Sequence, residues 1–228
     1  MKKSKRWAMV IDQQKCFGCG ACVVACAQAN KATPNHWRRV FDCGVSDPPE
    51  RRRLFLPLNC MHCSNPPCEE VCPTTATFKR PDGIVDIDYR KCIGCGYCIV
   101  ACPYFARVIL FTNEYDQETR VMAPGIDAPA PDYLSVASKC CFCRPRIERG
   151  IEKGLTPGVD EEATPACVVH CSAKAISFGD LNDPASDVAR IKREQSTICL
   201  QESLGTQPCV FYTGDSHLMD ASKVPNGD

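Results

Sequence analysis

The sequence predicts an α+β fold of two small modules, one nested within the other, with loop-rich insertions and an extended C-terminal arm. Three observations predict it. Sixteen of the twenty cysteines fall into four tetrads, Cys16-Cys19-Cys22-Cys26, Cys60-Cys63-Cys68-Cys72, Cys92-Cys95-Cys98-Cys102 and Cys140-Cys143-Cys167-Cys171. Short β-like runs precede three of the tetrads, and short helix-like turns close them, which is an internal repeat. The gaps are unequal: 19 residues separate Cys72 from Cys92, against 33 between Cys26 and Cys60 and 37 between Cys102 and Cys140.

In chain order, residues 7–11, 54–58 and 84–87 read as strands leading into Cys16, Cys60 and Cys92. Ala21-Cys-Val-Val-Ala-Cys26 and Tyr97-Cys-Ile-Val-Ala-Cys102 are small and apolar enough for short helices. Further strand-like runs lie at 76–78, 106–111 and 175–178, and Arg80-Pro-Asp-Gly83 reads as a hairpin turn. Glycines such as Gly94 sit between cysteines, where the chain must curl through φ > 0. Prolines mark loops at about 44–51 and 120–133. From Asp183 onward the chain is polar and weakly periodic, and reads as a surface arm that orders only against a partner. Much of the apolar content abuts the cysteines, so small, broken cores are expected.

Composition narrows the function. Cysteine at this density fits a disulfide scaffold only in a short secreted chain, and the basic first residues lack the apolar stretch of a secretory signal. The expected location is therefore cytoplasmic, or exported while bound to a partner that carries a signal. No stretch approaches the length of a membrane span. The formal net charge of +0 counts every thiol as neutral. Sixteen thiolates holding four [4Fe–4S] cores would bring the chain to roughly −8, so no basic footprint for nucleic acid is expected.

The first and third tetrads have the spacing C-x2-C-x2-C-x3-C of bacterial [4Fe–4S] ferredoxins, in which the fourth cysteine of a run ligates the other cluster. The tetrads must therefore work in pairs. The shortest gap joins the second to the third, leaving the first for the fourth. The predicted sets are Cys60, Cys63, Cys68 and Cys102; Cys72, Cys92, Cys95 and Cys98; Cys16, Cys19, Cys22 and Cys171; and Cys26, Cys140, Cys143 and Cys167. The corresponding segments are an inner ferredoxin-like module at 51–112 and an outer, split one at 5–50 and 133–182. A connecting loop covers 113–132 and the arm 183–228. Every ligand position is cysteine, so four four-iron clusters are expected and no three-iron cluster. Zinc would need only two C-x2-C pairs separated by a longer loop.

Other residues are read more plainly. Cys43, Cys141, Cys199 and Cys209 are expected to be bystanders. Lys15, Lys91 and Lys139 each directly precede a tetrad, where they either offset cluster charge or sit in solvent. Arg51, Arg52 and Arg53 read as a solvated loop, and Arg144, Arg146 and Arg149 as either a docking or an exposed face. His62 and His170 lie inside tetrads that cysteine already completes. No P-loop, nucleophile elbow or radical-enzyme C-x3-C-x2-C appears, so no catalytic residue is predicted.

The second tetrad's C-x2-C-x4-C-x3-C-P, Asp82-Gly-Ile-Val-Asp-Ile-Asp-Tyr-Arg-Lys-Cys-Ile-Gly-Cys95, Ala101-Cys-Pro-Tyr104 and Phe178-Gly-Asp-Leu-Asn-Asp-Pro184 resemble the four-cluster electron-transfer subunit of the dimethyl-sulfoxide-reductase family. The resemblance runs from about residue 7 to 212. Gly154-Leu-Thr-Pro-Gly-Val-Asp160 and Ala163-Thr-Pro-Ala-Cys167 are similar to a subgroup that includes phenylacetyl-CoA dehydrogenase iron–sulfur subunits. The resemblance implies a large partner carrying molybdenum or tungsten on a bis-pyranopterin cofactor. It also implies a membrane anchor, which would put the chain peripherally on the inner face of the cytoplasmic membrane. A free polyferredoxin carrier or maturation factor is the alternative.

Overall fold

A computed structural model of the chain describes residues 4–46, 51–110 and 134–214. Its central strand is β1 (Trp7–Asp12), an apolar run buried along almost its whole length. Such a run needs neighbours on both edges and cover on both faces. β8 (Ile176–Asp180) pairs with it antiparallel, Met9 opposite Phe178, and β9 (Val210–Thr213) pairs parallel on the other edge, Val10 opposite Phe211.

The polar tail is thus part of the fold. Helix α6 (Asp187–Glu194) starts at Ser186, whose hydroxyl accepts the Ala189 N–H at 3.3 Å. It packs on β8 and buries Val188 completely. β9 then buries Val210, Phe211 and Tyr212. The expected arm ordered only by a partner is corrected for residues 183–214; residues 215–228 lie outside the described residues. A four-residue strand buried on both faces has no alternation to read, which is why the sequence hides it.

β2 (Arg38–Val45) and β3 (Arg53–Asn59) form an antiparallel hairpin. Only β3 is anticipated, because Arg38, Arg39, Asp42 and Gly44 break any apolar pattern in β2. The loop expected at 44–51 is the hairpin connection, of which 47–50 lie outside the described residues. β4 (Thr77–Lys79) and β5 (Val85–Ile87) pair across the expected turn, closed by the Gly83 N–H on the Arg80 carbonyl at 3.0 Å. β6 (Val108–Ile109) pairs with β7 (Ala137–Ser138). The intervening 111–133, with the loop expected at 120–133 and the connecting loop at 113–132, lie outside the described residues.

The helices are short. α1 (Ala21–Asn30) touches α5 (Ala166–Val169), and α2 (Pro67–Glu70) touches α3 (Tyr97–Val100). α4 (Arg144–Glu152) braces the segment 154–165, where Arg146 donates to the Thr164 carbonyl at 2.9 Å. One main core gathers Trp7, Met9, Ile11, Leu56, Leu58, Met61, Ile84, Phe142, Phe178 and Tyr212. The expected broken cores hold in part: three small clusters stand apart among the described residues, but the main core draws on both segments, and the β2–β3 and β6–β7 pairings cross the expected module boundary. Trp7 stacks on Phe178 at 5.6 Å and Phe178 meets Phe142 edge-on at 5.3 Å. Such pairs contribute about 0.5–1.5 kcal/mol each beyond their burial.

Candidate metal centres

The fold brings the tetrad cysteines into groups that cross the tetrads. Burial, then the adjoining Cys140, Cys167 and Cys143 thiolates, push the Cys26 thiol well above its ordinary range. Burial followed by Cys60, with Cys68 and Cys102 adding to it, raises Cys63. Cys68 is pushed up to about 11, burial leading and Arg107 opposing, with Cys60 and Cys102 again among its neighbours. Cys16 is raised by burial, with Cys22 and Cys171 adding to it against the Gly18 N–H. The Cys19 sulfur lies 3.8 Å from the Ser172 hydroxyl, beside Cys171. Cys102 therefore sits with the second tetrad, Cys171 with the first and Cys26 with the fourth. Cys98 is buried in one small cluster with Cys68, Val85, Ile87 and Ala137, against which Cys92 packs, and the Cys72 N–H closes the turn after α2 on the Glu69 carbonyl.

Backbone N–H groups point at these sulfurs. Thr77 donates to Cys72 at 3.4 Å, Ala137 to Cys92 at 3.4 Å, Phe142 to Cys140 at 3.4 Å and Ala175 to Cys171 at 3.3 Å. For Cys72, burial acts to raise the thiol, but the Thr77 N–H, the Thr74 hydroxyl and the Thr74 and Ala76 N–H groups outweigh it and hold it below the ordinary value. The curl that presents such donors needs glycine at Gly94 (φ +69°), where a side chain would collide with the Ser135 carbonyl oxygen.

Among the described residues, three cations are buried near the sulfurs. Arg107 donates through Nη2 to the Cys68 sulfur at 3.0 Å and through Nη1 to the Thr77 hydroxyl at 3.0 Å. Arg38 donates through Nη1 to Asn59 Oδ1 at 2.7 Å. Burial acts to discharge Arg38, but the Cys167 and Cys22 sulfurs outweigh it and hold it above the ordinary arginine value. Lys139 donates to the Val85 carbonyl and, at 3.0 Å, to that of Cys140. Between these groups His62 accepts the Val85 N–H at 3.1 Å on Nδ1 and lies 3.8 Å from the Phe142 ring centre.

Other sequence expectations resolve individually. Lys15 and Lys91 are exposed and pair with Asp12 and Asp88, whereas Lys139 is buried. Arg144 pairs with the buried Asp86 at 3.0 Å, and Arg53 pairs with Asp42. The His170 ring nitrogen lies 3.0 Å from the Ala166 carbonyl oxygen. Cys209 is buried in a small cluster with Ala8, Val10, Val188 and Phe211, Cys199 packs beside it, and Cys141 lies 3.8 Å from Asn30 Oδ1. Arg38 and Arg107 are the functional candidates that the sequence does not reveal. Each looks like any surface arginine until the fold buries it.

The donor set fits iron–sulfur clusters. Buried, mutually repelling thiols need a cationic core to ionise together, and N–H groups aimed at sulfur are what such clusters accept. A single zinc ion holds its sulfurs at about 2.3 Å; a cube of four irons spreads them wider. Cysteine sets paired across an α+β scaffold define a ferredoxin-type iron–sulfur protein.

Comparison with known proteins agrees. A family model described as a 4Fe-4S dicluster domain matches residues 52–120, and one described as a 4Fe-4S binding domain matches residues 7–28. The chain is 38% identical to a selenate reductase subunit of Mesobacillus selenatarsenatis, over 91% of this chain and 71% of that one. It is 36% identical to the Hdr-like menaquinol oxidoreductase iron-sulfur subunit 1 of Archaeoglobus fulgidus, over 93% and 84%. It is also 36% identical to a tetrathionate reductase subunit of Salmonella typhimurium, over 96% and 76%. The chain belongs to the family of iron–sulfur electron-transfer subunits of molybdopterin oxidoreductase complexes.

Proposed function

We propose that the chain holds four [4Fe–4S] clusters in two crossed pairs and conducts single electrons along them between a large molybdenum- or tungsten-bis-pyranopterin subunit and a distant acceptor. Cys60, Cys63, Cys68 and Cys102 hold one cluster and Cys72, Cys92, Cys95 and Cys98 its partner. Cys26, Cys140, Cys143 and Cys167 hold a third, and Cys16, Cys19, Cys22 and Cys171 the fourth. The crossed grouping of Cys26, Cys102 and Cys171 is the observation that carries this reading. The dicluster match over 52–120 supports two clusters in the inner module. Cys72 follows by the same crossing rule.

The grouping also supports an order. The Cys60 charge reaches Cys140, linking the inner to the outer pair. The Cys72 and Cys16 sets then lie at the ends. Each end set contains one exposed ligand, Cys95 or Cys19, with exposed apolar residues beside it: Ile93 and Tyr97 near Cys95, Phe17 near Cys19. Partners would dock at these ends. Relatives named menaquinol oxidoreductase and menaquinone reductase subunits support a quinone-linked membrane anchor at one of them. No helix among the described residues is long and apolar enough to cross a membrane. The proposed location is cytoplasmic, peripheral on the inner face of the membrane, or outside that membrane when the chain is exported bound to a partner.

Anaerobic purification tests the reading. About sixteen irons per chain and a stoichiometric pterin-bearing large subunit are expected. An iron-replete monomer acting as a diffusible donor would instead establish the free polyferredoxin.

A further inference from the structure

Among the described residues, three lysine or arginine side chains are buried: Arg38, Arg107 and Lys139, exposed by 2%, 3% and 1%. Among those residues none of the three lies within ion-pair distance of a carboxylate. The one buried acid there, Asp86, is engaged by Arg144. A buried cation without an anion is unfavourable, so each must find its counter-charge elsewhere.

Their positions follow the cysteine sets. Arg107 bonds the Cys68 sulfur at 3.0 Å and the Thr77 hydroxyl at 3.0 Å, and the Thr77 N–H bonds the Cys72 sulfur at 3.4 Å. One hydrogen-bonded path thus links the two inner sets through Arg107. Lys139 bonds the carbonyls of Val85, in the inner segment, and Cys140, in the outer. Arg38 is tied through Asn59 toward the Cys140 sulfur, 4.0 Å from the Asn59 amide. Its charge also opposes the burial-driven rise of the Cys16, Cys26 and Cys167 thiols, which belong to both outer sets.

We propose that Arg107, Lys139 and Arg38 are fixed counter-charges, Arg107 between the two inner clusters and Lys139 and Arg38 on the seam between the inner and outer pairs, and that they raise the reduction potentials of the clusters they flank. This rests on the four-cluster reading above. One electron takes a thiolate-held cluster from roughly −2 to roughly −3, and a cation in a low-dielectric interior stabilises the more negative form. The cluster of Cys60 is flanked by all three cations and that of Cys140 by two, whereas Arg107 alone adjoins the Cys72 set and only the charge of Arg38 reaches the Cys16 set. The row therefore favours electrons in the middle of the path, against the repulsion of four anionic clusters in one small protein.

The test is a redox titration monitored by electron paramagnetic resonance on the intact complex carrying Arg107→Met or Arg107→Lys. Arg107→Met should lower the potential of the Cys60–Cys63–Cys68–Cys102 cluster by about 59 mV or more, a tenfold change in a one-electron equilibrium. The cluster holding Cys98 should shift less and that of Cys16 not at all, and Arg107→Lys should recover most of the loss. Unchanged potentials in iron-replete Arg107→Met would overturn the proposal. If the Met variant loses iron, retention of iron and potential by the Lys variant supports it. Loss from both would leave Arg107 a packing role only and overturn it. A wild-type complex short of four clusters would refute the underlying reading instead.

Discussion

Arg38 donates to the Asn59 side-chain oxygen at 2.7 Å, and both residues are buried. Asn59 in turn donates its amide to the Cys60 carbonyl at 2.8 Å and faces the Cys140 sulfur at 4.0 Å. A single polar seam therefore joins the segments that carry the inner and outer cysteine sets. Replacing Asn59 with Leu removes the oxygen partner of a buried guanidinium. The expected cost is about 1.5–3 kcal/mol, the range for hydrogen bonds to charged groups. It should appear as a lower urea midpoint of the iron-loaded protein at unchanged m-value.

Cys102 lies in the third tetrad but among the second tetrad's thiols. Cys102→Ser should therefore abolish or convert the cluster of Cys60, Cys63 and Cys68, while that of Cys92, Cys95 and Cys98 keeps its signal. Paramagnetic resonance spectra of the variant decide this, and the reverse pattern would falsify the crossed ligation.

Gly94 and Gly96 share the third cysteine run and both have positive φ, +69° and +78°. An added Cβ at Gly96 meets nothing within 4 Å, whereas at Gly94 it runs into the Ser135 carbonyl oxygen. Gly96→Ala should cost about 1 kcal/mol for the backbone alone. Gly94→Ala should cost more and disturb the Cys92–Cys95–Cys98 cluster spectrum. Iron content and thermal midpoints of the two variants give the comparison.

β9 covers one edge of β1, and the Tyr212 hydroxyl donates to the Pro57 carbonyl at 2.9 Å, next to the approach to Cys60. Tyr212→Phe should cost about 1 kcal/mol, the net value of one such bond. Deleting residues 209–228 removes the whole strand and uncovers Met9 and Val10, so that truncation should fail to accumulate as soluble, iron-loaded protein.

Burial, then the charge of neighbouring thiolates, pushes the Cys26 and Cys140 thiols well above their ordinary range, so ionising them together requires the iron core, which couples the native fold to its clusters. Stripping the iron anaerobically with chelator should therefore collapse the ordered secondary structure. Far-ultraviolet circular dichroism would register this, and reconstitution with iron and sulfide should restore it.

The cysteine spacing by itself determined the chemistry. Spacing is a local property, and C-x2-C-x2-C-x3-C suits a cube of iron and sulfur whatever surrounds it. The strand entering Cys16 and the turn Arg80–Gly83 were legible for the same reason, since runs and turns are written in consecutive residues. Tertiary structure alone decided what depends on distant segments. It buried β9 beside β1, paired β2 with β3 across the expected module boundary, and drew both segments into one main core. It also chose among cations that look alike in sequence, leaving Lys15 and Lys91 in solvent while enclosing Lys139, Arg107 and Arg38. Burial and the position of a charge relative to other charges are sums over the whole fold, so no local pattern can carry them.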